Sequence, residues 1–325
     1  MAKVKTFKTI FPAVSVPLND DYSINEPEFR AYLRWIKTFY GKGMDGLVCN
    51  GHTGEITGLT RAERKRVVEI CAEECGDVMT IISGVNCENT AESIEMAKEA
   101  KEAGADGILL MPPHMWLRFG MNPDAPFEYV KDVAEGADID IIIHLYPATS
   151  KAFYPVETLI KMCKEIDHVK CIKMGTRVTS IYEHDVRLLR QECPDISLIT
   201  CQDETLCVSW FPGMDGALIG FAGCVPEIIC PAREVFANPD KHTLKEAQDW
   251  SDRIYHISQA IYGGGQPSGE AHARLKEALK QRGIFSSALM RKPVLPLNQE
   301  EKDWVALGLE RSQLPEVDMT QFEDK

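Results

Sequence analysis

The chain has 325 residues, of which 44% are hydrophobic, and its 36 Lys and Arg against 49 Asp and Glu give a formal net charge of −13. This acidic balance argues against a general affinity for nucleic acid or anionic membranes and favours a small-molecule role. No stretch approaches the ~20 apolar residues of a membrane helix, and no apolar segment follows the charged start, so we expect a cytoplasmic protein. The eleven cysteines form no Cys-x-x-Cys pair, which indicates reduced thiols.

In chain order, eight short apolar runs predict β-strands, and segments of helical periodicity separate them. The runs lie near residues 11, 47, 80, 109, 143, 171, 199 and 218. Three of them follow a Gly-x-Asp-Gly sequence, at 43–46, 104–107 and 213–216, whose first glycine can end a helix in a left-handed conformation. Strands that are apolar on both faces and alternate with helices are typical of a parallel sheet covered by helices.

Eight such strands are the number that closes a barrel. We therefore predict an α/β protein in which residues 1–237 form a (β/α)8 TIM barrel and residues 238–325 form a C-terminal helical extension. Helical patterns in the extension cover 241–262, 268–282 and 299–310, and three glycines at 263–265 separate the first two. A doubly wound open sheet is the alternative, but residues 11–18 lack the glycine-rich phosphate-binding sequence that usually follows its first strand.

Lys173 ends the sixth apolar run, at the barrel rim where chemistry is expected. Burial there would favour a neutral, nucleophilic amine, which forms an imine with a carbonyl substrate. A snorkelling lysine that only packs its stem is the alternative. Tyr146 ends the fifth run, so its phenol is expected at the same rim, where it could pass protons to and from the reacting oxygen. A lone buried tyrosine is more often structural.

The turn after the second strand contains Gly51-His52-Thr53-Gly54-Glu55. Two glycines around a threonine suggest backbone N–H groups and a hydroxyl that could hold a carboxylate. An ordinary glycine turn before the next helix is the alternative.

A second class of site stays open at this rim. The side chains His52, His114 and His144 fall near strand ends, and Asp203 and Glu204 follow the seventh strand. They could bind a divalent metal that polarises a carbonyl, although their spacing matches no short ligand motif. We expect no metal or other cofactor, because an imine-forming lysine makes a metal redundant. A catalytically silent binding protein on the same barrel is a weaker alternative.

The motifs Gly51-x-Thr53-Gly54-Glu55, Leu145-Tyr146 and Ile172-Lys173, in this order, resemble the signature of the N-acetylneuraminate lyase and dihydrodipicolinate synthase superfamily. The resemblance covers nearly the whole chain. It implies a Schiff-base aldolase or lyase, usually a homotetramer, that acts on pyruvate or another 2-oxo acid. Lys173 would form the imine, Tyr146 would shuttle protons, and the turn with Thr53 and Gly54 would hold the carboxylate.

Departures from this signature bear on the substrate. His52 replaces the usual Ser or Thr, which alters the carboxylate site, and Lys151 stands near a substrate-gripping arginine of the synthases. Residues 112–116 replace two adjacent tyrosines, so the synthase proton relay is missing and a role in lysine biosynthesis is not expected. Trp116 resembles the flat wall of hydratase-aldolases that handle aromatic 2-oxo-3-enoates, although it could equally pack at an oligomer contact. Leu218 is a further predicted substrate contact.

We expect reversible carbon–carbon cleavage of a 2-oxo acid, with dehydration of a 2-oxo-3-deoxy sugar acid by the same imine chemistry as the alternative.

Overall fold

The computed structural model describes residues 3–263 and 269–324, and within these ranges strands and helices alternate along the chain. The strands are β1 (Ile10–Pro12), β2 (Gly46–Cys49), β3 (Thr80–Val85), β4 (Gly107–Leu110), β5 (Asp140–Leu145), β6 (Val169–Met174), β7 (Ser197–Thr200) and β8 (Gly216–Ile219). All eight coincide with the predicted runs.

The helices confirm the alternation. They are α1 (Glu26–Lys37), α2 (Arg61–Cys75), α3 (Thr90–Glu102), α4 (Met115–Phe119), α5 (Ala125–Ala137), α6 (Val156–Glu165), α7 (Thr179–Glu192), α8 (Leu206–Trp210), α9 (Pro226–Ala237), α10 (Leu244–Tyr262), α11 (Gly269–Gln281) and α12 (Gln299–Arg311). The last three correspond to the helical patterns predicted for the C-terminal extension. Of the three glycines predicted to break α10 from α11, Gly263 follows α10 directly, and Gly264 and Gly265 lie outside the described residues.

The eight strands form one parallel sheet in the order β1-β8-β7-β6-β5-β4-β3-β2. A parallel bridge between Ala13 and Val48 joins the two ends, and the Val14 N–H donates to the Val48 carbonyl at 2.9 Å. The predicted (β/α)8 barrel is therefore confirmed. No helix among the described residues is long and apolar enough to cross a membrane.

The Gly-x-Asp-Gly sequences follow closely on a helix at Gly104, after α3, and at Gly213, after α8, but the prediction is wrong for Gly43, because α1 already ends at Lys37 with its cap at Thr38. The first glycines have left-handed φ values, 94° at Gly43, 103° at Gly104 and 86° at Gly213. In two cases the carboxylate accepts a backbone N–H at the start of the preceding strand: Asp106 from Ile81 at 2.7 Å, and Asp215 from Leu198 at 2.9 Å. The sequences at 104–107 and 213–216 thus follow a helix end, start a strand and align that strand with its neighbour.

Apolar side chains fill the barrel interior in alternation along each strand. The fully buried interior set comprises Phe11, Val48, Ile82, Leu109, Ile142, Cys171, Ile199 and Leu218. Because successive side chains in a strand point to opposite faces, a residue two positions beyond an interior residue also points inward. Lys173 follows Cys171 by two positions, so its side chain enters the interior at the C-terminal mouth of the barrel.

The C-terminal extension is held to the barrel by a buried ion pair. The Lys276 ammonium on α11 pairs with the Glu55 carboxylate in the turn after β2, and Lys276 also donates to the Leu289 carbonyl at 2.8 Å. The Arg291 N–H donates to the same carboxylate at 3.0 Å. The Lys276 side chain is 1% exposed, so this pair lies away from solvent.

Candidate active site

A cavity of about 390 Å³ opens at the C-terminal ends of the barrel strands. Its polar lining consists of His52, Thr53, His114, His144, Tyr146, Lys173, Arg177, Asp203, Tyr262 and His272. Its apolar lining includes Ala13, Leu117, Pro147, Leu218 and Ala271. Eight of the residues singled out from the sequence therefore meet in one cavity: Lys173, Tyr146, His52, Thr53, Leu218, His114, His144 and Asp203.

Lys173 is the nucleophile that this cavity offers. Its side chain is half-buried, and within the described residues no carboxylate lies within ion-pair distance of its Nζ atom. Burial lowers the pKa of Lys173 from its ordinary value, and the Arg177 charge lowers it further, while Cys201 and Asp203 partly oppose this. The neutral amine is thereby favoured, as covalent catalysis by lysine requires.

The Tyr146 hydroxyl lies between two imidazoles. Its oxygen is 3.3 Å from the Nε2 atom of His52 and 3.3 Å from the Nε2 atom of His114, whose Nε2 also lies 3.1 Å from the Asn86 amide nitrogen. Burial raises the pKa of Tyr146 far above the ordinary value, so the phenol keeps its proton at neutral pH. It can therefore donate that proton to an oxygen in the cavity.

Three imidazoles of this cavity, those of His52, His144 and His272, are held neutral by their surroundings. Burial lowers the pKa of His52 to about 3, and the charges of Lys173, His272 and His114 act in the same direction. Burial also lowers the pKa of His144 and of His272. Neutral imidazoles can donate and accept hydrogen bonds, and they add no fixed charge beside the lysine.

The turn after β2 offers donors to an anion. Within the described residues, the backbone N–H groups of Thr53 and Gly54 donate to no acceptor, and Thr53 lines the cavity. Gly54 lies behind this surface, where a Cβ atom would come within 3.0 Å of the Val14 carbonyl oxygen, so close packing requires glycine. Glu55 has a left-handed φ of 56° and is anchored by Lys276.

The opposite wall of the cavity is polar. Arg177 donates from Nε to the Glu204 carboxylate at 3.2 Å, and the Gly220 N–H donates to the Asp203 carboxylate at 2.8 Å. Burial raises the pKa of Asp203 to about 6, with the neighbouring Glu204 charge adding to the shift, while a hydrogen bond from Tyr262 opposes it. This carboxyl can therefore exchange a proton near neutral pH.

Three of the predicted substrate-binding residues are not among the cavity lining: Gly54, Trp116 and Lys151. The Trp116 ring packs edge-on against Tyr129 and Tyr154, with centroid distances of 5.7 and 6.2 Å. The next residue on α4, Leu117, lines the cavity instead. Lys151 is exposed, and its ammonium donates to the Arg118 carbonyl at 3.1 Å.

Sequence reasoning did not single out Arg177, Tyr262 or His272. Arg177 follows Lys173 by four residues in the same rim loop, so its charge and position could have indicated it. Tyr262 ends α10 and His272 lies on α11, and no local pattern separates them from the many other polar residues of amphipathic helices.

The side chains that could ligate a metal do not form a ligand set. In the ranges 3–263 and 269–324, no group of three or more His, Cys, Asp or Glu residues is arranged to hold a metal ion. A larger cavity of about 620 Å³ lies between α10, α11 and α12, and Arg274, Glu301 and Trp304 are among its lining residues. Lys173 is not among the residues that line that cavity.

Comparisons with known proteins agree with this architecture. The chain is 26% identical over 309 residues to the 4-hydroxy-tetrahydrodipicolinate synthase of Bartonella bacilliformis, covering 94% of this chain and 98% of that protein. It is 25% identical over 292 residues to an uncharacterized DapA-like lyase of Thermofilum pendens, covering 89% and 92%.

Solved structures share the fold. YagE of Escherichia coli K12, a prophage protein of the dihydrodipicolinic acid synthase family solved in complex with pyruvate, has a TM-score of 0.85 and 21% identity, with 95% of this chain and 100% of that chain covered. The dihydrodipicolinate synthase of Aquifex aeolicus has a TM-score of 0.83 and 19% identity, with 96% and 100% covered. The profile of the dihydrodipicolinate synthetase family matches residues 6–311, so this chain belongs to that family of carbon–carbon lyases.

Proposed function

We propose that this protein is a Schiff-base-forming lyase that reversibly cleaves a carbon–carbon bond in pyruvate-derived 2-oxo acids. The observation that carries the proposal is the Lys173 amine, half-buried at the barrel mouth and without a carboxylate partner among the described residues. Pyruvate in the related YagE structure and the family membership support a 2-oxo acid as the ligand.

The reaction begins when the neutral Lys173 amine adds to the 2-oxo carbon. A carbon–nitrogen bond forms, the carbonyl π pair moves to oxygen, and proton transfer from nitrogen to oxygen gives a neutral carbinolamine. Tyr146 then gives its proton to the departing hydroxyl, which leaves as water while the nitrogen lone pair forms the C=N bond. In the resulting iminium the C3–C4 bond then breaks, and its electron pair forms the C2=C3 bond of an enamine while the C=N π pair moves to nitrogen. The C4 hydroxyl gives its proton to the Tyr146 phenolate and becomes the carbonyl of the released aldehyde.

We propose that the turn after β2 binds the substrate carboxylate. The Thr53 hydroxyl and the N–H groups of Thr53 and Gly54 would donate to it, and His52 would contribute a neutral imidazole beside them. Leu218 would contact the carbon chain from the last strand. Substrate contacts of Lys151 and Trp116, a homotetramer and a cytoplasmic location stay predictions.

Dehydration of a 2-oxo-3-deoxy sugar acid is the second candidate. The polar wall with Arg177 and Asp203 supports it, because a carboxyl that titrates near pH 6 could protonate a leaving hydroxyl. Incubation with a panel of aromatic and sugar-derived 2-oxo acids separates the two reactions, since cleavage releases pyruvate and dehydration does not.

Borohydride reduction in the presence of pyruvate tests the proposal directly. We expect irreversible inactivation and a mass increase on the peptide that contains Lys173. Inactivation by EDTA without trapping would instead support a metal-dependent lyase, and indifference to both treatments would support a binding protein.

Replacing Tyr146 with phenylalanine is expected to slow imine formation by roughly 10²–10⁴-fold, because the ring is kept while the proton donor is lost. Borohydride added at a series of times after mixing with pyruvate traps the imine formed so far and measures this rate. Tyr154→Phe is a matched control, since this buried tyrosine lies outside the cavity lining. An unchanged trapping rate in Tyr146→Phe would remove the phenol from the mechanism.

The trapping rate is also expected to depend on pH in a defined direction. Only the neutral amine attacks the carbonyl, so the rate rises with pH as Lys173 loses its proton. Because burial lowers the pKa of Lys173 below its ordinary 10.5, the rise should level off at a pH lower than that value. A rate that still climbs through pH 10.5 would contradict the burial argument.

A further inference from the structure

His144 occupies the strand position that faces Lys173. In the β5–β6 pairing, His144 is the register partner of Lys173, and Ile142 is the partner of Cys171. Ile142 and Cys171 are interior residues of the barrel, so the side chains two positions further along each strand also point inward. His144 and Lys173 therefore extend into the same layer of the cavity from adjacent strands.

An irregularity in β6 produces this register. Ile141 pairs with Val169 and Ile142 pairs with Cys171, which leaves Lys170 as an extra residue on β6. Such a bulge shifts the pairing of all later residues by one position. With an uninterrupted ladder, Ile172 rather than Lys173 would face His144, and its side chain belongs to the layer outside the barrel.

The Nδ1 atom of His144 makes no hydrogen bond among the described residues that would assign the imidazole a structural role. His144 is 7% exposed and lines the cavity. Its ring meets the Tyr146 ring edge-on at a centroid distance of 4.9 Å. A buried imidazole without a structural hydrogen bond is costly to keep, which points to a role toward a bound molecule.

We propose that His144 is a further catalytic residue, which removes a proton from carbon 3 of the imine at Lys173 and returns it to that carbon. This inference rests on the proposed function. In the forward step the C3–H bond breaks and its electron pair forms the C2=C3 bond, while the C=N π pair moves to nitrogen. The proton goes to an imidazole nitrogen, so an iminium and a neutral imidazole become an enamine and an imidazolium.

Charge balance in the cavity favours this transfer. After burial, the positive charge at Lys173 is the main influence that lowers the pKa of His144, and His52 and Arg177 act in the same direction. When the iminium becomes an enamine, the charge at Lys173 disappears as the charge at His144 appears. The site therefore carries the same net charge before and after the proton transfer. The transfer also removes the repulsion by the Lys173 charge, which adds to burial in lowering the pKa of His144.

Exchange of the methyl protons of pyruvate in D2O, followed by NMR, isolates this step without the full substrate. His144→Gln keeps a polar side chain of similar size that cannot take up the proton. We expect its exchange rate to fall by roughly 10²–10⁴-fold, while borohydride still traps pyruvate at Lys173 at close to the wild-type rate. His256→Gln, a half-buried histidine on α10 outside this cavity, serves as the matched control.

A second variant guards against a purely structural effect. In His144→Ala, added imidazole is expected to restore part of the exchange in a concentration-dependent manner, which lost packing alone would not produce. Wild-type exchange in His144→Gln with intact trapping would overturn the proposal. Loss of both exchange and trapping in a folded His144→Gln protein would also overturn it, because His144 would then serve the lysine and not the carbon. Absence of trapping at Lys173 in the wild type would instead remove the proposed function.

Discussion

Replacing Lys173 with alanine is expected to lower turnover on the order of 10⁶-fold, the scale of loss when a covalent nucleophile is removed. The variant has no amine to form the imine, and no other lysine lines the cavity among the described residues. The fold should persist, because within those residues the Lys173 ammonium makes no ion pair or hydrogen bond that the loss would break. Pyruvate release from the identified substrate and circular dichroism measure the two effects.

Lys170→Ala is the matched control for this variant. Lys170 lies on the same strand, but its side chain is exposed and its ammonium donates to the Asp167 carbonyl at 2.6 Å. We expect this change to leave turnover unaffected. Lys173→Arg adds a second control, because it keeps a positive charge without a nucleophilic amine and should be as inactive as alanine. More than trace activity in either Lys173 variant would end the imine mechanism.

Replacing Lys276 with methionine is expected to lower the free energy of unfolding by about 3–5 kcal/mol, the usual effect of removing one partner of a buried ion pair. The Glu55 carboxylate would be left without its ammonium, although the Arg291 N–H still donates to it. Urea denaturation of the variant and the wild type measures the difference. Because Glu55 closes the turn that holds Thr53, the affinity for pyruvate should weaken as well.

Two controls distinguish the loss of the Lys276–Glu55 ion pair from the effect of changing a residue on α11. Lys280→Met changes an exposed lysine on the same helix, and we expect a change within about 0.5 kcal/mol. In the double variant Glu55→Gln with Lys276→Met, no uncompensated charge remains, so much of the lost stability should return. A Lys276→Met protein as stable as the wild type would show that the ion pair contributes nothing.

The barrel was predictable because its signals are local. Each strand is a short apolar run, and the glycines at 104 and 213 closely follow helix ends. Strand count and alternation then leave few architectures to consider. The short helices α4 and α8 were not predicted separately, since five residues carry too little periodicity to show one.

The candidate site was only partly predictable, for reasons that the structure makes plain. Lys173 and Tyr146 follow from strand ends, but the partner of Lys173 depends on the bulge at Lys170, which leaves no trace in the hydrophobic pattern. A single step along α4 decides that Leu117 and not Trp116 lines the cavity. Such differences of one residue arise from tertiary packing, and a sequence pattern does not resolve them.

Four cavity-lining residues come from helices beyond the barrel: Tyr262 at the end of α10, and Gly269, Ala271 and His272 on α11. The barrel and the C-terminal helices therefore both contribute walls to this cavity. A protein shortened after α9 would retain Lys173 but lose the cavity wall that α10 and α11 supply. Grafting foreign helices onto this barrel would change the side of the cavity that α10 and α11 supply while leaving Lys173 and Tyr146 in place.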